Sequence, residues 1–125
     1  MLGQAWGQNK YAEYKSVSGT LNVSKSELAW ENRRIDVGSI PRDVPVEVEF
    51  HFVNEGDVPV VIENVRTSCG CTAARHSVAP VLPGESSLIR VTYNAKKAGV
   101  FRKSITVETS DDENPMVLLI AGEVR

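Results

Sequence analysis

The sequence predicts an all-β domain, an immunoglobulin-like antiparallel β-sandwich of about seven to eight strands. Short runs in which apolar and polar residues alternate predict strands with one buried face. Turn signals separate these runs about every 8–12 residues, the spacing typical of sandwiches and small barrels. No stretch has the length, period and caps of a three-turn helix, which excludes alternating strand–helix architectures. A chain of 125 residues is long enough for one such domain with a core that needs no metal or disulfide.

Two regions of the chain differ in composition. Residues 1–27 are rich in Ser, Lys, Gln and Asn and show weak periodicity, so we expect a polar, partly ordered lead-in with an edge strand around residues 20–23. Residues 28–125 are expected to form the sandwich domain. Because the lead-in is polar, it should contribute little to stability.

Within the domain, each predicted strand carries one apolar face. These strands cover residues 46–53, 58–62, 89–93, 101–107 and 118–124. Segments rich in Asn, Asp, Gly and Pro predict the turns at 54–57, 83–85, 94–99 and 111–115. The inward positions of the strands predict one core shared by two sheets: Phe50, Phe52, Ile62, Ile89, Val91, Phe101, Ile105, Val107, Leu118 and Ile120.

Composition and charge exclude several classes of function. The formal net charge is −2 and acidic residues interrupt the basic pairs, so the sequence predicts no nucleic-acid partner. No apolar run approaches the ~20 residues that span a bilayer, which predicts no membrane insertion of this segment. The sequence contains no phosphate-binding glycine loop, nucleophile elbow or paired carboxylates. His51 alternates with core residues along its predicted strand, so its side chain should face solvent. We therefore expect no enzymatic activity.

The chemically distinctive feature is Cys69-Gly70-Cys71, on a connection that follows a predicted strand and precedes Thr72. Three interpretations remain open. The cysteines could form a local disulfide, exchangeable because so short a loop is a poor staple. They could bind a soft metal, Cu(I) or Zn²⁺, with His76 and Met116 as conceivable further ligands, although the four-ligand spacing of a closed zinc site is absent. They could also be small residues that shape a tight turn, with no cofactor involved.

The residues around these cysteines define a candidate interaction loop, because sandwiches often bind through end loops and strand edges. The members of this predicted loop, besides the cysteines and the nearby His76, are Arg66, Thr67, Ser68, Gly70, Thr72 and Arg75. A catalytic pair of either cysteine with His76 would need an orienting third group, which is not apparent.

Several blocks resemble a known family when they are taken together in chain order. They are Asp-Val-Gly-Ser-Ile at 36–40, Phe-Val-Asn-Glu-Gly-Asp at 52–57, Thr-Ser-Cys-Gly-Cys-Thr at 67–72, Pro-Gly-Glu at 83–85, Gly-Val-Phe-Arg-Lys at 99–103 and the stretch at 118–124. The succession resembles a bacterial family of exported domains of unknown function marked by a Ser-Cys-Gly-Cys-Thr segment and related to Hydin-type immunoglobulin-like domains. The resemblance covers about residues 30–125, and Ile35-Asp36-Val37 replaces a Phe-Asp-Phe-like stretch.

The resemblance implies a sandwich fold and export to the periplasm or the cell exterior after removal of a leader, but no activity. We therefore expect a non-enzymatic binding or scaffolding module whose partner is another protein or a cell-envelope component. The alternative is a thiol-active protein that uses Cys69-Gly70-Cys71 for disulfide exchange or soft-metal binding.

Overall fold

The computed structural model describes residues 27–110 and 112–125, with the side chains of 112 and 113 left aside. The expectations for residues 1–26, including the edge strand around 20–23, lie outside these residues. The described chain forms eight strands: β1 (Leu28–Trp30), β2 (Arg34–Ile40), β3 (Val46–Asn54), β4 (Ile62–Thr67), β5 (Thr72–His76), β6 (Ser86–Tyr93), β7 (Gly99–Thr109) and β8 (Asp112–Val124). They form two four-stranded sheets, the first in the order β1-β3-β6-β5 and the second in the order β2-β8-β7-β4. The predicted immunoglobulin-like sandwich is confirmed.

One strand pair departs from the antiparallel pattern. β2 lies parallel to β8, whereas the other adjacent strands pair antiparallel. β2 and β8 come from opposite ends of the domain, so no hairpin imposes an antiparallel pairing on them. The register between them shifts between Asp36 and Ser39. There Gly38 adopts a φ of 72°, and its N–H donates to the Asp36 carboxylate at 2.9 Å. Glycine fits this position because a left-handed backbone is costly for other residues.

The core lies between the sheets, and the ten core positions predicted from the sequence are all buried. Val81 and Tyr93 extend this core, and Val60 is also buried. Aromatic pairs close it on two sides: Tyr93 stacks on Phe101 with ring centroids 4.2 Å apart, and Trp30 packs against Phe52 at 4.7 Å. The core therefore forms without any disulfide between the two sheets.

The segment before β4 differs from the sequence prediction. The alternation at 58–62 predicted a strand, but Val60 forms only an isolated pairing with Val81, and β4 begins at Ile62. Pro59 has no N–H to give to a ladder. Instead, the buried side-chain amide of Asn54 donates to the carbonyls of Val58 and Val81 at 2.8 and 2.9 Å. A side chain thus replaces the strand pairing that the periodicity suggested.

The final hairpin is also tighter than predicted. β7 ends at Thr109 and β8 begins at Asp112, and these two residues are paired. Most of the turn expected at residues 111–115 therefore belongs to β8. The other turns lie where the sequence placed them, with Gly84 and Gly99 at positive φ values of 87° and 117° just before β6 and at the start of β7.

Candidate functional site

The Cys69-Gly70-Cys71 segment crosses from one sheet to the other. β4 is the outer strand of the second sheet, β5 is the outer strand of the first, and residues 68–71 join them. The predicted position between two strands is confirmed. The sulfurs of Cys69 and Cys71 are bonded, and their Cα atoms lie 5.3 Å apart, within the range that a disulfide permits. The bridge therefore closes the turn itself and does not link distant parts of the chain.

Hydrogen bonds that do not involve the sulfurs fix the shape of this turn. The Thr67 hydroxyl lies within hydrogen-bond distance of the carbonyls of Cys69 and Thr72, at 3.1 and 3.3 Å. The Thr72 N–H donates to the Cys69 carbonyl at 3.3 Å. Because Thr67 ends β4 and Thr72 begins β5, these bonds tie the two strands together directly across the turn.

Two neighbouring strands hold the turn from outside. The Ser68 N–H donates to the Ser104 carbonyl of β7 at 3.0 Å, and the Ser104 N–H returns a bond of 3.0 Å to the Ser68 hydroxyl. The Asn94 N–H, just beyond β6, donates to the Cys71 carbonyl at 3.0 Å. The turn is therefore anchored to both sheets by backbone groups and the Ser68 hydroxyl.

The two sulfurs have different surroundings. The Cys71 N–H donates to the Cys69 sulfur at 3.2 Å. The Thr72 hydroxyl lies 3.6 Å from the Cys69 sulfur and 3.8 Å from the Cys71 sulfur, and the hydroxyl must be the donor because a disulfide carries no S–H. Cys71 packs against the hydrophobic core, whereas Cys69 is not among the described residues that do so.

Gly70 is exposed, and a Cβ added to it would meet nothing within 4 Å. Its φ lies outside the left-handed region. Neither space nor backbone conformation therefore requires glycine at this position.

The charged residues of the predicted interaction loop lie on strands instead. Arg66 is in β4 and forms an ion pair with Glu108 at 3.2 Å. Arg75 and His76 are in β5, and the His76 Nδ1 lies 3.0 Å from the carbonyl of Ser77. The loop proper is therefore limited to residues 68–71. His76 does not come into hydrogen-bond contact with either sulfur, and no group of three His, Cys, Asp or Glu side chains within the described residues could hold a metal ion.

The exposed edge of β5 is the second feature of this site, and the sequence does not predict it. β5 pairs with β6 along its whole length without a register shift. In antiparallel ladders, hydrogen-bonded residue pairs alternate with non-hydrogen-bonded pairs. The bond from the Asn94 N–H to the Cys71 carbonyl shows which pairs along β5 are the hydrogen-bonded ones. Ala74 and His76 consequently direct their N–H and C=O groups away from β6. Two alanines within five residues give too weak a strand signal for detection from the sequence.

The outer face beside β5 carries a charge ladder. Arg90 of β6 pairs with Glu47 at 3.3 Å and with Glu49 at 2.7 Å. The hydrogen bond from Arg90, supported by one from His51, holds the pKa of Glu49 below its ordinary value, and Glu49 in turn raises the pKa of Arg90. Arg75 lies beside Arg90 in the register but has no ion-pair partner among the described residues.

These features define the class of the protein: an immunoglobulin-like β-sandwich domain with a disulfide-closed crossover turn. The model of a family described as a protein of unknown function (DUF1573) matches residues 28–124, and the chain belongs to that family. The family is not a known enzyme family. No curated protein matches the sequence. None of the described segments forms a helix with the length and apolarity that crossing a bilayer requires.

Solved structures share the fold at low sequence identity. A protein of unknown function from Porphyromonas gingivalis W83 matches with a TM-score of 0.69 and 14% identity, over 98% of this chain and 52% of that one. The PapD-like domain 7 of human CEP192 matches at 0.63 and 11%, over 86% and 91%. The secreted serine protease VesC from Vibrio cholerae matches at 0.60 and 15%, over 78% and 23%. The chain thus spans about half of the first protein and about a quarter of the protease.

Proposed function

We propose that this domain is a non-enzymatic protein-binding module that works outside the cytoplasm and binds an extended segment of its partner along β5. The observation that carries the proposal is the pair of N–H and C=O groups on Ala74 and His76 that point away from β6. A strand added at this edge would pair with those groups, and strand addition derives affinity from such main-chain bonds.

β5 is better suited to strand addition than the other three sheet edges. β1 has only three residues. The register of β2 shifts between Asp36 and Ser39, and that of β4 shifts between Ile62 and Asn64. Such irregularities discourage pairing at an edge. β5 offers five residues in regular register, with no proline.

The charge beside this edge specifies the chemistry of the partner. Arg66 and Arg90 are each paired with a carboxylate, whereas Arg75 is exposed and has no such partner within the described part of the chain. An added strand would place its outward side chains next to Arg75, since neighbouring strands share a face. We infer that the bound segment carries a carboxylate there.

The disulfide and the family resemblance support a location outside the cytoplasm. Disulfides persist in oxidising compartments and are rare where thiol-reducing systems operate. The periplasm or the cell exterior fits this chemistry. A protein or another component of the cell envelope is the partner expected there.

Photo-crosslinking tests the proposal. A photoreactive residue placed at Ala73, on the outer face of β5, should crosslink to a partner in extracts of the organism that makes the protein. The same residue at Val117, half exposed at 50% on the outer face of the other sheet, should not. Equal crosslinking from both positions would contradict binding at β5.

Two variants identify the groups that bind. Ala74→Pro removes an outward N–H while the ladder to β6 stays intact, so it should reduce crosslinking at least tenfold. Arg75→Glu reverses a surface charge without threatening the fold and should reduce it severalfold, whereas Arg102→Glu on the other sheet should not. On binding, the amides of Ala74 and His76 should exchange with solvent more slowly. If Ala74→Pro and Arg75→Glu both fold and both crosslink to the partner as strongly as the unsubstituted chain, the proposal is refuted.

A further inference from the structure

We propose that the Cys69–Cys71 pair exchanges disulfides with dithiols of other proteins, and that Cys69 is the residue through which the exchange runs. This activity goes beyond the binding function proposed above and does not rest on it. It follows from the unequal surroundings of the two sulfurs and from the way in which the turn is held.

Access favours Cys69. An incoming thiolate must approach a disulfide sulfur in line with the bond that breaks. Both cysteines are half-buried, but Cys71 packs against the core, which hinders a thiolate approaching its sulfur from that side. Cys69 is half-buried on a turn at the end of the sandwich. The partner thiolate therefore attacks the sulfur of Cys69.

Hydrogen bonding also favours Cys69 once the pair is reduced. Its sulfur accepts the N–H of Cys71 at 3.2 Å and lies 3.6 Å from the hydroxyl of Thr72. Donors directed at sulfur favour the thiolate, the form that attacks disulfides. Among the residues that the structure describes, the Cys71 sulfur has the Thr72 hydroxyl as its one donor, at the longer distance of 3.8 Å. Cys69 is thus the attacking thiol of the reduced pair, and Cys71 is the resolving thiol.

The turn keeps its shape when the disulfide opens. The bonds from Thr67, Thr72, Ser68 and Asn94 that fix residues 68–71 are made by hydroxyl and backbone groups, not by sulfur. One residue between the cysteines closes a loop too short to restrict the unfolded chain much, so reduction costs little stability. Both redox forms can therefore exist in the folded domain, as repeated exchange requires.

The exchange balances with a partner dithiol as reductant. One partner thiolate attacks the Cys69 sulfur, the Cys69–Cys71 bond breaks, and Cys71 leaves as a thiolate that takes up a proton. The second partner thiol loses its proton and attacks the partner's first sulfur in the mixed disulfide; the new bond joins the two partner sulfurs, and Cys69 is expelled as a thiolate. The partner leaves oxidised to a disulfide and the Cys69–Cys71 pair is reduced, with two electrons transferred.

Alkylation of single-cysteine variants of the full chain tests the assignment. Cys71→Ser retains Cys69, and Cys69→Ser is its matched control. At pH 7 iodoacetamide should modify Cys69 at least tenfold faster than Cys71, with an inflection in the rate below the ~8.5 of a free cysteine. In the Cys71→Ser background, Thr72→Val should slow the reaction severalfold and Thr72→Ser should restore it. Equal rates for the two cysteines would overturn the assignment.

Trapping shows whether exchange occurs. The oxidised wild-type chain is mixed with a synthetic peptide that contains one cysteine and is quenched with acid, and peptide mapping should find the adduct on Cys69. A two-cysteine peptide should leave oxidised as the Cys69–Cys71 pair becomes reduced. An adduct mainly on Cys71, or none, would refute the proposal. Ala74→Pro should exchange at the wild-type rate, so the two proposed functions can fail separately.

Discussion

Asn54 offers the sharpest test of how the loops are held on this sandwich. The sequence marked it as a turn residue, but it is completely buried at the end of β3. Its side-chain amide donates to the carbonyls of Val58 and Val81, and its side-chain oxygen accepts the N–H of Gly56 at 2.9 Å. One side chain therefore satisfies three backbone groups: two lie within four residues of Asn54 along the chain, and the third lies 27 residues away.

The cost of Asn54→Ala follows from these bonds. Each contributes about 1 kcal/mol, and a buried group left unpaired costs about 1–3 kcal/mol. Val81 keeps a second bond, because its carbonyl also accepts the N–H of Val60 at 3.0 Å, and Gly56 is half-buried so that water can reach it. We therefore expect Asn54→Ala to lower the free energy of unfolding by about 2–3 kcal/mol. This is a large part of the roughly 5–15 kcal/mol by which a typical domain is stable.

Urea denaturation measures this loss as a lower midpoint with an unchanged slope. Asn64→Ala is the matched control, since Asn64 is exposed and its side chain bonds to Glu108 alone within the described part of the chain; this variant should lower the free energy of unfolding by less than about 0.5 kcal/mol. Asn54→Asp should be more damaging at pH 7 than at pH 4, because only the protonated acid can donate to a carbonyl. A loss below 1 kcal/mol in Asn54→Ala would refute the role assigned to the side chain.

Three further predictions address the core, the β2–β8 pair and the charge ladder. Ile105→Ala, at a completely buried position, should lower the free energy of unfolding by about 2–5 kcal/mol, and a loss under 1 kcal/mol in urea would contradict the packing. Gly122→Ala would place its Cβ 2.8 Å from the Gly38 carbonyl oxygen, so it should lower the free energy of unfolding by about 1–3 kcal/mol. An unchanged melting temperature would contradict this close approach. NMR titration should find the pKa of Glu49 below its usual 4.5 because Arg90 binds the carboxylate. Since the folded-state pKa is lowered, the stabilisation of the fold by this pair is present above about pH 4.5 and fades as the pH falls. Arg90→Gln should return the pKa of Glu49 towards its usual value.

The sequence by itself determined the fold class and the composition of the core. The two-residue period over 46–53 and 101–107 assigned the inward faces correctly, because alternation is a local property that a buried face imposes on each strand. The position of Cys69 and Cys71 on a connection was also predicted, and the structure places them between β4 and β5. Local patterning was sufficient wherever neighbouring residues carried the information.

Only the tertiary structure decided which strands are neighbours and which groups meet. The parallel pairing of β2 with β8 joins opposite ends of the domain, and the bonds of Asn54 reach a loop 27 residues away. β5 is a strand because β6 offers it a ladder, not because its own residues favour one. The difference between Cys69 and Cys71 arises in the same way, since packing against the core distinguishes two residues that the sequence places almost side by side.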